Sequence, residues 1–232
     1  MLKLKFNKNH NKWFLSKITS LIRQYNLISK GEKIGLALSG GVDSITLLYV
    51  LAYLQKFSSM DFSLVATHIK TADYNTEIMK KFCSNLDIEY REFTLPALSK
   101  QNNMCYYCSK GKRMILKKEF ADLGIQKVIF AHNKDDVAET FFMNLVLHKR
   151  IETIKPISSS ADFTVIRPML DLDKKTILWL HKYFDLPILD YECPHQTINK
   201  RQLFRDWLDS DDEITKKIVE NITSAFGNSE IW

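Results

Sequence analysis

Three cysteines and one glycine-rich turn carry most of the chemical information in this 232-residue chain. Cys105 and Cys108 form the run Cys-Tyr-Tyr-Cys, and Cys193 stands far downstream. Thiolates bind iron-sulfur clusters and zinc alike, so ligand type alone does not choose between them. Structural zinc takes four protein ligands, and only these three cysteines are suitably placed. His195, two residues after Cys193, is the residue that would close a Cys3His site. Cys83, in Met79-Lys80-Lys81-Phe82-Cys83, falls on an apolar helix face and reads as core.

The turn is Ser39-Gly40-Gly41-Val42-Asp43-Ser44. It follows the apolar run Lys33 to Leu38, of strand length, and precedes Ile45 to Leu51, which reads as a buried helix. A strand, a glycine turn and a helix N-terminus together make an anion site. Gly40 and Gly41 let the backbone approach a phosphate, and free N–H groups with the helix dipole favour negative charge there. Ser39 and Ser44 add hydroxyl donors, and Asp43 is placed to hold Mg2+ beside the phosphate. The Walker pattern is absent, because no Gly-Lys-Ser/Thr follows after a four-residue spacer.

These residues need a scaffold, and the pattern around them supplies one. Residues 11 to 28 place Phe14, Ile18, Leu21, Ile22 and Tyr25 at helical spacing, an amphipathic N-terminal helix. Strands are predicted at Phe62 to Ile69, Ile88 to Thr94 and Lys127 to Ala131. Helices are predicted near 75 to 86, through the cysteine segment to about Leu123, and from Asp136. Alternation of this kind implies a doubly wound, mainly parallel α/β sheet that binds ligands beyond the carboxyl ends of its strands. Three stretches are expected: a basic arm and helix over 1–30, the α/β domain over 31–190, and a helical extension over 191–232 carrying the third cysteine. The length suits one sizeable α/β core.

The net charge of +6 is unevenly placed. Residues 1 to 30 hold seven basic side chains and no acid, and a second group, Lys110, Lys112, Arg113, Lys117 and Lys118, follows the cysteine pair. Clustered positive charge of this kind fits either solvated helix faces or a polyanion. No apolar stretch approaches the length of about 20 residues that spans a bilayer, so no membrane partner is expected. The first residues lack an uninterrupted apolar region, so no signal peptide is expected and the protein is placed in the cytoplasm. In that reducing compartment the cysteines point to metal or catalysis rather than disulfides.

After the strand ending at Ala131, His132-Asn133-Lys134-Asp135-Asp136 leads into Val137-Ala138-Glu139-Thr140. Paired aspartates at a helix start serve capping and dipole stabilisation in many proteins.

The glycine turn resembles the Ser-Gly-Gly-x-Asp-Ser signature of the PP-loop ATP pyrophosphatases. The His132 segment resembles Gly-His-x-x-Asp-Asp-x-x-Glu-Thr of their tRNA-modifying branch, with Ala131 in place of the glycine. The N-terminal helix, the turn, the cysteine pair with its basic residues, and Ile166-Arg167-Pro168-Met169 follow in order. Cys193 with Gln196 and Arg201 completes the series, so that residues 12 to 209 are similar to the tRNA 2-thiocytidine synthetases. The resemblance implies ATP cleaved between its α and β phosphates, Mg2+, and a 4Fe-4S cluster on Cys105, Cys108 and Cys193. It further implies tRNA as substrate, most naturally an anticodon-loop cytidine, and a sulfur donor such as a cysteine desulfurase system, with a homodimer left open. The implied nucleotide set is Ala37, Ser39, Gly40, Gly41, Asp43, Ser44 and His132. Asp43, Asp136 and Lys112 are the implied catalytic set, Lys112 matching a lysine proposed as catalytic in the related thiouridine enzymes. Val42 stands where the family usually has Lys, Asp190 where it has another cysteine, and Pro194 where it has Gly. Three alternatives stand beside this reading: a metal-free persulfide pair at Cys108 and Cys193, a small-molecule sulfur-transfer enzyme, and a noncatalytic RNA-binding module with structural zinc.

Overall fold

The computed structural model describes residues 6–96, 104–160, 162–191, 200–210, 212–229 and 232. Among these residues six strands, β1 (Glu32–Ala37), β2 (Phe62–Lys70), β3 (Glu89–Thr94), β4 (Lys127–Ile129), β5 (Ile157–Ser159) and β6 (Thr164–Ile166), form one sheet. Its order is β3-β2-β1-β4-β6-β5, and every pairing is parallel except that of β5 with β6. The described helices are α1 (Lys8–His10), a π-helical turn (Asn11–Leu15), α2 (Ser16–Gln24), α3 (Val42–Phe57), α4 (Glu77–Leu86) and α5 (Met104–Asp122). Beyond them lie α6 (Lys134–His148), α7 (Lys174–Tyr183), α8 (Lys200–Leu208) and α9 (Glu213–Gly227).

The doubly wound, mainly parallel sheet expected from the alternation is present. The chain lays β1, β2 and β3 outward in one direction, then returns through α5 to place β4 on the other side of β1. The order reverses between β1 and β4, and a crevice opens where their carboxyl ends diverge. Leu36 pairs with Ile129, Ile129 with Ile166, and Ala37 with Thr67. Ser39, His132 and Arg167, each just beyond a strand end, therefore emerge at nearly one level despite their sequence separation.

The glycine turn runs directly into α3, whose first turn is Val42-Asp43-Ser44 with Gly41 as N-cap at φ −78° and ψ 166°. The helix thus begins three residues earlier than its apolar run at Ile45, because Asp43 and Ser44 suit a first turn. Ser44 through Ala52 are buried without interruption, since α3 lies between the sheet and α7. Each buried Leu or Ile there contributes about 1.5–3 kcal/mol. Tyr49 sits between Phe6 and Phe184, at ring-centroid distances of 5.5 and 4.9 Å.

The N-terminal helix predicted over 11 to 28 divides into the π-helical turn and α2, and the chain turns at Asn26 with φ 47°. Ile18, Leu21 and Ile22 nevertheless face inward as their spacing requires. The β5–β6 hairpin was not foreseen: each strand has three residues, too few for alternation to register. Of two apolar clusters among the described residues, the larger joins Phe14 and Ile18 to the sheet and to Val219, Ile222 and Phe226 of α9, and the smaller gathers Val65, Leu116, Phe120 and Val128. The α9 and α8 helices pack on α6 through Phe141–Phe226 at 5.1 Å and Phe142–Trp207 at 5.0 Å. No described helix is long and apolar enough to cross a membrane.

Candidate active site

The phosphate turn is held by its own serines. Ser44 Oγ donates to the Gly41 carbonyl at 3.1 Å, accepts from the Ser39 N–H at 3.2 Å, and lies 2.9 Å from Ser39 Oγ. The Gly41 N–H reaches Ser39 Oγ at 3.3 Å. The two glycines do different work. Gly40 has φ +86°, and a Cβ there would fall 2.6 Å from Leu189 Cβ and 3.0 Å from Met79 Sδ. Its carbonyl accepts from the Leu189 N–H at 3.0 Å, so Gly40 is required by protein packing as well as by backbone conformation. A Cβ on Gly41 would meet only Ser39 Oγ, at 3.6 Å, so that side of the turn is open.

A small cavity of 100 Å³ next to the turn gathers Asp43, Asp135, Asp136, Glu139, Lys174 and Arg205. Lys174 Nζ lies 2.7 Å from both carboxylate oxygens of Asp43. The Lys174 backbone N–H donates to Asp135 Oδ2 at 2.7 Å, and the Lys134 N–H donates to the Leu172 carbonyl at 2.9 Å. These bonds tie the starts of α6 and α7 together beside the start of α3. Burial pushes the Asp135 carboxyl up to about 6, with the Lys174 N–H pulling against it. Glu139, with 3% of its side chain exposed, pairs with Arg205 at 2.8 Å and with Arg201. Burial pushes its carboxyl up and the two guanidiniums oppose the shift. Asp136 completes a capping box: its Oδ2 accepts from the Asn133 N–H at 2.9 Å, and its own N–H donates to Asn133 Oδ1 at 3.1 Å.

On the other side of the turn lies a cavity of 350 Å³, lined among others by Ala37, Ser39, His68, Lys112, His132 and Arg167. Arg167 Nε donates to His132 Nδ1 at 3.2 Å, and its Nη1 donates to the Lys155 carbonyl at 2.7 Å. Burial first, then Arg167 and Arg201, push the His132 imidazole down to about 4. The ring is therefore neutral, with Nδ1 accepting and Nε2 carrying the proton. His68 Nδ1 faces the Leu38 carbonyl at 2.8 Å, which only accepts, so Nδ1 holds the proton and Nε2 takes the Tyr74 hydroxyl at 3.0 Å. Burial lowers its pKa. Tyr74 stacks on Tyr191 at 3.9 Å, and the Tyr191 hydroxyl lies 3.1 Å from Thr71 Oγ1.

Cys105 is exposed and Cys108 half-buried, one turn apart near the start of α5. Ser109, Lys112, Arg113 and Leu116 line the larger cavity, and Cys105 and Cys108 continue that stripe toward the helix start. Cys193, His195 and Gln196 lie outside the described residues; the described chain before them ends at Tyr191, on the cavity wall. Among the described residues no three His, Cys, Asp or Glu side chains gather as a metal site. The residues present fit the implied groups in part. Two thiols on one helix face suit two corners of a cubane, and the lone turn carboxylate Asp43 suits a Mg2+ held chiefly by phosphates and water. Cys83 is fully buried, and burial pushes its thiol up to about 12, as a core cysteine requires.

Of the residues singled out in the sequence, Ala37, Ser39, Lys112 and His132 line the larger of these two cavities and Asp43 and Asp136 the smaller, with Gly40, Gly41 and Ser44 in the turn. Sequence reasoning missed Lys174 altogether, although Asp173 ahead of an apolar-periodic run signals a helix start there. Arg167 stood out only as part of a family segment. The basic group after the cysteines divides: Lys112 and Arg113 face the cavity, whereas Lys117 pairs with Asp162.

Comparison with known proteins gives this geometry a lineage. The PP-loop domain family matches residues 10–208. The tRNA-cytidine(32) 2-sulfurtransferase of Cronobacter sakazakii is 30% identical over 219 residues, covering 89% of this chain and 71% of that protein. The chain belongs to the PP-loop family, in its tRNA 2-thiocytidine synthetase branch. The Aliivibrio salmonicida protein of the same name is 29% identical with the same coverage. Among solved structures, the U34-tRNA thiolase NcsA from Methanococcus maripaludis with its [4Fe-4S] cluster superposes with a TM-score of 0.75. It is 20% identical, and the match covers 95% of this chain and 81% of that one. The NAD+ synthetase of Burkholderia pseudomallei follows with a TM-score of 0.51 at 15% identity, covering 98% of this chain and 91% of that one. Both show the PP-loop fold.

Proposed function

We propose that the protein is an ATP-dependent tRNA sulfurtransferase that replaces the C2 oxygen of an anticodon-loop cytidine with sulfur. The observation that carries this reading is the cavity of 350 Å³, in which Ser39 of the phosphate turn faces Lys112, one turn beyond Cys108. On this reading the nucleotide and the base meet in the cavity, with the sulfur chemistry at the thiols near its rim. A pyrimidine carbonyl is a poor electrophile because its leaving group is oxide. Its oxygen attacks the α-phosphorus of ATP, pyrophosphate departs, and the adenylated C2 then loses AMP to an incoming sulfur nucleophile.

The turn residues Ser39, Gly40, Gly41 and Ser44 bind the pyrophosphate portion, and Asp43 holds Mg2+ against it. His132, neutral and fixed by Arg167, directs its Nε2–H to an oxygen in the cavity. Lys112 supplies a cation near the phosphoryl group or the carbonyl; Asp136, whose capping role leaves it beside Asp43, positions the metal side of the site. Cys105 and Cys108 with Cys193 would hold a 4Fe-4S cluster, which supplies an open iron site for inorganic sulfide. The basic arm with Lys110 and Arg113 of α5 meets the tRNA backbone in a cytoplasmic enzyme served by a cysteine desulfurase system. The test is nucleoside mass spectrometry of tRNA from cells with and without the gene. Loss of 2-thiocytidine with the gene is the expected result, and an unchanged thionucleoside profile overturns the reading.

A further inference from the structure

Asp43 does two incompatible things. The metal reading gives its carboxylate to Mg2+, yet in the structure both oxygens are taken by Lys174 Nζ at 2.7 Å. The contact is built rather than incidental. The two residues stand 131 positions apart, and the lysine backbone is fixed by Asp135 through the Lys174 N–H at 2.7 Å. Asp173 caps the same helix by accepting from the Thr176 N–H at 2.7 Å. Only the flexible four-carbon stem is then free to move, and the pair keeps solvent access, with 37% and 30% of the two side chains exposed. Asp135, Asp136, Glu139 and Arg205 line the same small cavity. A bare divalent ion would have to displace the ammonium to reach Asp43.

We infer that Lys174 is an exchangeable counter-ion: it neutralises Asp43 in the nucleotide-free protein and moves to the triphosphate when Mg2+ arrives bound to ATP. The inference rests on the reading of Asp43 as the metal carboxylate. Its consequence is selectivity for the metal–nucleotide complex over either part alone. With Mg·ATP the carboxylate gains the metal and the ammonium gains phosphate oxygens, so neither charge is left unpaired. With metal alone the ammonium is expelled to water without a partner, at the cost of a charge-assisted bidentate contact.

The test separates this from a structural role, because Lys174→Met should move two affinities in opposite directions. The bond from the Lys174 N–H to Asp135 is a backbone bond and survives the substitution, so the fold is retained. Binding of Mn2+ alone, followed by electron paramagnetic resonance, should tighten tenfold to a hundredfold in Lys174→Met, the size set by losing one charge-assisted pair. Binding of the α,β-methylene analogue of ATP with Mg2+, followed by calorimetry, should weaken by a similar factor in the same variant. Lys174→Arg should preserve the weak Mn2+ binding. Equal weakening of both ligands, or no change in either, overturns the inference. Asp43→Asn is the control for the underlying reading: if it leaves Mg·nucleotide binding to the otherwise native protein intact, the metal assignment of Asp43 falls first.

Discussion

The phosphate turn and the cysteine site are built in opposite ways. Ser39 to Ser44 lie on one short stretch, bond to one another, and start a helix whose buried residues run unbroken to Ala52. Cys105 and Cys108 stand exposed and half-buried on a helix whose described core residues are Leu116 and Phe120, and their expected third partner lies 85 positions beyond Cys108. A site made by local chain geometry tolerates little change and needs no ligand to take shape. A site made of distant thiols depends on what it binds, because metal binding supplies the energy that holds such ligands together.

The contrast breaks first at the thiols. Cys105→Ser, Cys108→Ser and Cys193→Ser should each abolish tRNA thiolation and lose the iron of anaerobically reconstituted protein, about four per chain by cubane stoichiometry. Cys83→Ser should keep it, since that side chain is fully buried in the core. Zinc without iron under strict anaerobic preparation would remove the cluster from the mechanism, and thiolation by iron-free protein would favour a persulfide pair. Asp43→Asn should lower ATP turnover by about a hundredfold or more, as loss of a ligand to the Mg2+ that offsets phosphate charge does. Labelled ATP should yield pyrophosphate; orthophosphate as the only product would overturn the adenylation step.

Within the turn, the two glycines sharpen the comparison. Gly40→Ala should cost about 3 kcal/mol of stability in urea unfolding, because it combines a close clash with a positive φ. Gly41→Ala should be nearly neutral for stability and weaken nucleotide binding. Equal destabilisation by both would mean that the turn is structural throughout. On the cysteine helix, replacing the exposed Lys110 and Arg113 should flatten the logarithmic salt dependence of tRNA binding by about 2, near 0.9 per phosphate contact. Lys117→Ala should leave the slope unchanged, because that exposed lysine already pairs with Asp162.

The smallest effect is a pair of opposed pH dependences. Asp135 has its carboxyl raised from 3.8 to about 6, so the folded state holds the extra proton and stability falls as pH rises through that window. His132 is lowered from 6.5 to about 4, so the unfolded state holds the extra proton and stability falls as pH drops through that range. Thermal denaturation of Asp135→Asn should lose the first slope and of His132→Gln the second, each worth about 1–2 kcal/mol after allowance for solvent access. Parallel pH profiles for wild type and both variants would show that neither group titrates as its surroundings dictate.

What the sequence determined by itself is local. Strand, glycine turn and helix start at residues 32 to 57 follow from residue types whose conformational preferences act over a few positions. The expected parallel order follows from alternation, and Cys83 as core follows from helical spacing. The tertiary structure decided what depends on position in space: that Gly40 is packed against Leu189, that Arg167 fixes the tautomer of His132, and that Lys174 holds Asp43. None of these partners shares a local pattern with its mate, because the β4–β6 pairing and the docking of α7 and the chain after it, not chain proximity, bring them together. The same holds for the basic run on α5, where identical charges read alike in sequence and only the helix orientation sets Lys112 and the exposed Arg113 along the cavity rim and Lys117 toward Asp162.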